Sequence, residues 1–91
     1  MKKRLSAIVT GRVQMVMYRD FTRRKAAHLG IAGHVMNHDD GSVHVVAEGE
    51  EMVLQEFLAS LNKGSLFAQV DEVHASWDAP INEFSLFEIR Y

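Results

Sequence analysis

The stretch Ile31-Ala32-Gly33-His34-Val35-Met36-Asn37-His38-Asp39-Asp40-Gly41-Ser42-Val43-His44-Val45-Val46-Ala47-Glu48 decides the fold. Ile31 to Asn37 and Val43 to Glu48 alternate as two strands, and an Asp-Gly pair between such runs signals a hairpin. Immediately after it, Glu50 to Asn62 gives the clearest helix of the chain. Val53, Leu54, Phe57, Leu58 and Leu61 make a broad apolar stripe along it. Glu50, Glu51 and Glu56 lie towards its start and Lys63 at its end, which suits the helix macrodipole, and Gly64 closes it.

Working back from the hairpin, Arg19 to Leu29 reads as a helix with a weaker stripe. Tyr18, Thr22, Ala26 and Leu29 fall near one face, and Gly30 stands where a left-handed cap is often needed. Before it, Leu5 to Val13 is rich in Ile and Val and reads as a strand. At the other end, Phe67 to Ala75 reads as a strand and Phe84 to Tyr91 as a short final one. The order is βαββαβ plus a C-terminal strand. Its economical packing is an α+β ferredoxin-like sandwich, with both helices on one face of a mainly antiparallel sheet and the other face partly solvated.

The 91 residues fit one domain, spanning 1–91, with no linker or repeat. A hydrophobic fraction of 47% and a charged fraction of 24% are ordinary for a globular protein and exclude disorder. There is no cysteine, so disulfides, thiolate metal sites and cysteine nucleophiles are excluded. No apolar run reaches the roughly 20 residues of a membrane helix, and the basic start Met1-Lys2-Lys3-Arg4 leads into strand-like alternation, unlike a signal peptide. A cytoplasmic protein without a membrane partner is expected, and a monomer, since no long apolar stripe is left over. The net charge of −2 argues against broad nucleic-acid binding. Ser6 to Thr10 and Val43 to Glu48, the expected central strands, also lack the aromatics with which such folds stack RNA bases.

Chemistry concentrates in Gly11-Arg12-Val13-Gln14-Met15-Val16-Met17-Tyr18-Arg19, which leaves a strand, forms a loop and enters a helix. Such a loop can turn several backbone N–H groups into one concavity, and the helix N-terminus adds partial positive charge. Arg19 at the helix start could clamp two oxygens of a tetrahedral anion. Physics alone leaves open the plainer reading, a solvated arginine beside an empty loop.

The pattern Val9-x-Gly11-x-Val13-Gln14-x-Val16-x-Tyr18-Arg19 resembles the first signature of the acylphosphatase family. Gly33-x-Val35-Met36-Asn37-x-x-x-Gly41-x-Val43, with Gly49 further on, resembles its second, and Phe87-Glu88-Ile89-Arg90-Tyr91 is similar to its usual carboxyl terminus. The resemblance implies hydrolysis of a small-molecule acyl phosphate to carboxylate and orthophosphate, without metal or cofactor. It implies catalytic roles for Arg19, which binds the phosphoryl group, and for Asn37, which orients the attacking water. The phosphate cradle falls on the backbone of Gln14, Met15, Val16, Met17, Tyr18 and Arg19.

Two departures stand out. The family has glycine at the position of Met15, where a side chain adds bulk and, at positive φ, strain of about 1–3 kcal/mol. It favours an aromatic at the position of His34. The alternative function is therefore a degenerate domain that binds a phosphorylated ligand or partner with little turnover.

The remaining features have plainer readings. His34 and His38, four apart on a strand, are separated by about 13 Å and cannot share one ion. With His44 across the hairpin they are expected to be surface histidines and not a metal site. Asp39 and Asp40 suit a turn. Arg23, Arg24 and Lys25 suit the wet side of a helix, Met17 and Met36 suit packing, and Trp77 suits a sheet end. Restoring glycine at position 15 separates the two functional readings: a raised kcat/KM means that Met15 impairs the cradle, and an unchanged or lower value means that the loop accommodates it.

Overall fold

The structure, a computed structural model, describes all residues from Met1 to Tyr91. Its elements are β1 (Lys2–Arg12), α1 (Tyr18–Leu29), β2 (Ala32–Asn37), β3 (Val43–Glu50), α2 (Glu51–Lys63), β4 (Gln69–Asp78) and β5 (Phe87–Arg90). The five strands form one sheet in the order β4-β1-β3-β2-β5. The β1–β3, β1–β4 and β2–β3 pairs are antiparallel, and β2–β5 is parallel.

Period-2 alternation sets which face is covered. Leu5, Ala7 and Val9 of β1, Val35 of β2, and Val43, Val45 and Ala47 of β3 are buried in one cluster. Tyr18 and Ala26 from α1 and Leu54, Phe57 and Leu61 from α2 complete it. Helix α1 packs over β2 and β5, and α2 over β3, β1 and β4. The opposite face carries Ser6, Ile8, His44, Val46, His74 and Ser76, three of them part-covered and Ile8, His74 and Ser76 exposed. The βαββαβ order and the one-faced helix layer agree with the alternation of the sequence.

Several boundaries differ from the sequence reading. Strand β1 starts at Lys2 because its basic residues are paired across to acidic ones on β3: Lys2 faces Glu50 and Arg4 faces Glu48. Strand β4 starts at Gln69 and runs on to Asp78, since pairing with β1 continues to Arg4. The final strand is shorter, Phe87–Arg90. The chain before it, from about residue 79 to 86, is held by Glu48 instead of by a ladder. Glu48 accepts the Ile81 and Asn82 amides at 2.8 and 3.0 Å and the Arg4 guanidinium at 3.2 Å. Burial works against its charge, but those donors overcome it and hold the carboxyl below the usual glutamate range.

The end of β1 sets the direction of the chain into α1. The β1–β4 register shifts between Thr10 and Gly11, so that Asp71 of β4 has no partner. Gly11 has φ 121°, and a Cβ there would collide with the Gln69 carbonyl and lie 2.7 Å from the Asp71 nitrogen. Only glycine fits this close approach.

Two outcomes follow. Gly11→Ala lowers stability by at least about 2 kcal/mol in urea denaturation, through positive φ and overpacking together. A folded pKa held below the unfolded one gives stability that is present above the unfolded value and is lost as pH falls through the folded value. Acid unfolding of Glu48→Gln is accordingly less steep than that of the parent below about pH 4.

Candidate active site

Residues 13–17 lie between β1 and α1 and belong to no helix or strand. Met15 and Met17 both adopt left-handed backbone, with φ 60° and 64°. Alternating the hand of successive residues curls the peptide planes so that amides point to one side. None of the amides of Val13 to Met17 donates to another group of the chain. The first backbone bond of α1 is Phe21 N to Met17 O, at 3.0 Å. The amides of Tyr18, Arg19 and Asp20 precede it and have no intrahelical acceptor. Free donors thus run from Val13 to Asp20, at the positive end of α1.

The loop is fixed from outside by three groups. Gln14 Nε2 donates to the carbonyls of His38 at 2.7 Å and Ser42 at 2.9 Å, which joins the loop to the β2–β3 hairpin. Ser65 Oγ donates to the Val16 carbonyl at 3.4 Å. Tyr18 is buried, and its hydroxyl donates to the Leu61 carbonyl at 2.7 Å, which ties the start of α1 to α2. Burial pushes the Tyr18 phenol well above its ordinary pKa, so it stays neutral. Its side chain is thereby committed to packing, and its amide is the group left free at the loop.

A cleft of about 260 Å³ opens at this loop, bordered by Met15, Met17, Arg19, Asp20, Ile89 and Tyr91 among others. Arg19 is half-buried, and its guanidinium stacks over the Tyr91 ring at 4.9 Å from the centroid. It makes no ion pair. The neighbouring Asp20 carboxylate is already engaged by Arg23 at 3.2 Å and Arg24 at 2.9 Å. Two arginines of the basic run therefore neutralise the acid at the cleft, and Arg19 is left as its uncommitted positive charge.

Asn37 ends β2 and shares the helix-side face with Val35. Its Oδ1 is buried without a hydrogen-bond partner. Such an atom costs roughly 1–3 kcal/mol if left unsatisfied, so it marks a place built to receive a donor. Arg90 pairs with Met36, which places Tyr91 beside Asn37 at the same sheet end. Arg19, stacked on Tyr91, and Asn37 therefore lie at the same end of the sheet, where β1 enters its loop, although Asn37 does not itself border the cleft.

The acylphosphatase family profile matches residues 5–89. An acylphosphatase of Dehalococcoides mccartyi is 43% identical over 88 residues, covering 96% of this chain and 97% of its own. One of Thermotoga maritima is 45% identical over 89 residues, covering 98% of each. The crystal structure of the acylphosphatase from Bacillus subtilis superposes with a TM-score of 0.95 at 36% identity, covering 98% of this chain and 99% of its own. The chain belongs to the acylphosphatase family.

Of the residues expected to form the cradle, Gln14 to Met17 lie in the loop and Tyr18 and Arg19 in the first turn of α1, and none of their amides is paired within the chain. Met15 is 98% exposed, so its side chain extends into solvent instead of filling the cleft. Met17 is 66% exposed and does not pack as expected, because left-handed backbone at the helix cap turns it outward. His34 lies on the sheet face opposite Asn37, edge-on to Phe84 at 5.6 Å, and is a packing residue remote from the cleft. Burial first, then the positive charges of Arg90 and Arg4, holds its pKa below the usual histidine value. The histidines of the hairpin lie at the surface, as expected, His38 exposed and His44 part-exposed, and they stack with centroids 4.2 Å apart. The 13 Å spacing separates His34 from His38, whereas the hairpin folds His44 back onto His38.

Three contributions escaped the sequence reading: the Gln14 side chain as a strut, Ser65 as a clasp, and Tyr91 as the platform for Arg19. All bridge 24 or more residues, beyond any local pattern. Since Met15 already sits in left-handed backbone with a solvated side chain, Met15→Gly relieves strain and raises stability by about 1 kcal/mol in chemical denaturation. A loss of stability would mean that the Met15 side chain makes a contact worth more than that strain.

Proposed function

We propose that this acylphosphatase hydrolyses small acyl phosphates at the β1–α1 loop without a metal, through Arg19, Asn37 and the loop amides. The observation that carries the assignment is the run of unpaired amides from Val13 to Asp20 beside an unpaired Arg19.

The substrate's phosphoryl oxygens accept from the amides of Gln14 to Arg19, and the Arg19 guanidinium donates to two of them. Stacking on Tyr91 limits the rotamers that Arg19 loses on binding. A water donates one hydrogen bond to Asn37 Oδ1 and is held in line with the bond to be broken. Its oxygen bonds to phosphorus as the bond from phosphorus to the acyl oxygen breaks, and that electron pair leaves on the carboxylate. The water proton passes to a phosphoryl oxygen. A carboxylate is a good leaving group, so no general acid is needed. Positioning and charge stabilisation complete the chemistry, and preorganised donors supply both.

Binding without turnover is not favoured: the cradle is open, and Met15 stands in solvent at its edge. The test is hydrolysis of benzoyl phosphate in excess chelator. Asn37→Ala lowers kcat by about 10²–10³ with a smaller change in KM, by analogy with other preorganised donors. Arg19→Ala costs more, since it removes the formal charge at the site. Turnover that vanishes in chelator, or that survives Arg19→Ala within a factor of about ten, overturns the proposal.

A further inference from the structure

We propose that His38, Asp40 and His44 form a binding site for a transition-metal dication of the zinc type at the tip of the β2–β3 hairpin. Each offers one ligand atom, and these atoms lie within 4.8 Å of one another. Imidazole nitrogen and carboxylate oxygen bind zinc at about 2.0–2.2 Å. Drawing the three atoms onto one ion therefore needs shifts of about an ångström together with rotation of the two stacked rings, within reach of partly exposed side chains.

The hairpin already holds the ligands in place. The imidazoles of His38 and His44 are neighbours, stacked 11° from parallel with centroids 4.2 Å apart, and turning about their side-chain torsions brings their in-plane nitrogen lone pairs onto one ion. His38 N donates to Ser42 O at 2.9 Å and Gly41 N to His38 O at 3.1 Å, which closes the turn that carries His38 and Asp40 and leads into β3, where His44 lies. Asp40 Oδ1 accepts from both the amide and the hydroxyl of Ser42. This orients the carboxylate, whose Oδ1 also lies 3.9 Å from His38 Nδ1, and gives it the outer-shell support a ligating carboxylate normally has. Two nitrogens and one oxygen favour zinc, nickel or copper over magnesium or calcium. Three protein ligands on an exposed tip leave a position for water, so the ion exchanges freely.

The site is distinct from the catalytic cleft yet attached to it. His38 follows Asn37 directly, and its carbonyl and that of Ser42 receive the Gln14 side chain. A bound ion would stiffen the turn against which the phosphate loop is braced. A second histidine on the same sheet face, His74, approaches only Glu72, at 3.2 Å, and provides the control.

The experiment is calorimetric titration of the full chain with Zn²⁺ in a non-chelating buffer. The site predicts one saturable equivalent. His38→Ala and His44→Ala each weaken affinity at least tenfold, and Ser42→Ala weakens it by less, since it removes the hydroxyl bond to Asp40 and keeps the amide bond. His74→Ala leaves affinity unchanged. Thermal melts without metal confirm that each variant is folded. Absence of saturable binding to the parent chain, or binding that survives the double variant His38→Ala/His44→Ala, overturns the proposal.

Discussion

Gln14 Nε2 donates to the carbonyls of His38 and Ser42, at 2.7 and 2.9 Å. The two hydrogen bonds come from one side chain in the β1–α1 loop and reach the first and last residues of the hairpin turn. Neither segment has regular structure of its own to set its position. Joined, they form a single unit in which the free amides of the loop and Asn37, next to His38, hold a constant relation. The strands around this contact supply rigidity: β1 and β2 both flank β3, with Val9 and Asn37 facing Val43 from either side. What the fold brings to catalysis is this fixed geometry between elements far apart in sequence.

The loop departs from the usual rules of local stability. It leaves a run of amides without acceptors and holds two methionines at positive φ. Both features cost free energy, and both are what an anion cradle needs. The hydrophobic cluster under the sheet, the buried Tyr18 hydroxyl bond and the Ser65 clasp offset that cost by allowing the loop no better arrangement. Strain concentrated at one loop over an otherwise consistent fold is the usual mark of a functional site.

The architecture was legible because period-2 alternation, an Asp-Gly turn and the α2 stripe act locally. Strand ends were less so. The extent of β1 depends on cross-strand charge pairs, and the length of β5 on how Glu48 captures the chain before it. At the site, Arg19 and Asn37 could be named from their signatures, but their common location depends on the parallel β2–β5 pair, which no local pattern announces. Tyr91 reads as a mere terminal residue until that pairing places it under Arg19. The hairpin histidines lie at the surface as expected, and what strand spacing did not give is their mutual contact. Spacing along one strand rightly separates His34 from His38, but the turn brings His44 onto His38 from the other strand.

The central claim is that the backbone amides of the β1–α1 loop bind the phosphoryl group together with Arg19. Titration of inorganic phosphate into isotope-labelled protein, followed by amide nuclear magnetic resonance, addresses it residue by residue. The account predicts saturable shifts centred on the amides of Gln14 to Arg19, absent from Arg19→Ala. Phosphate that leaves those amides unmoved, or shifts them equally in the variant, would contradict it.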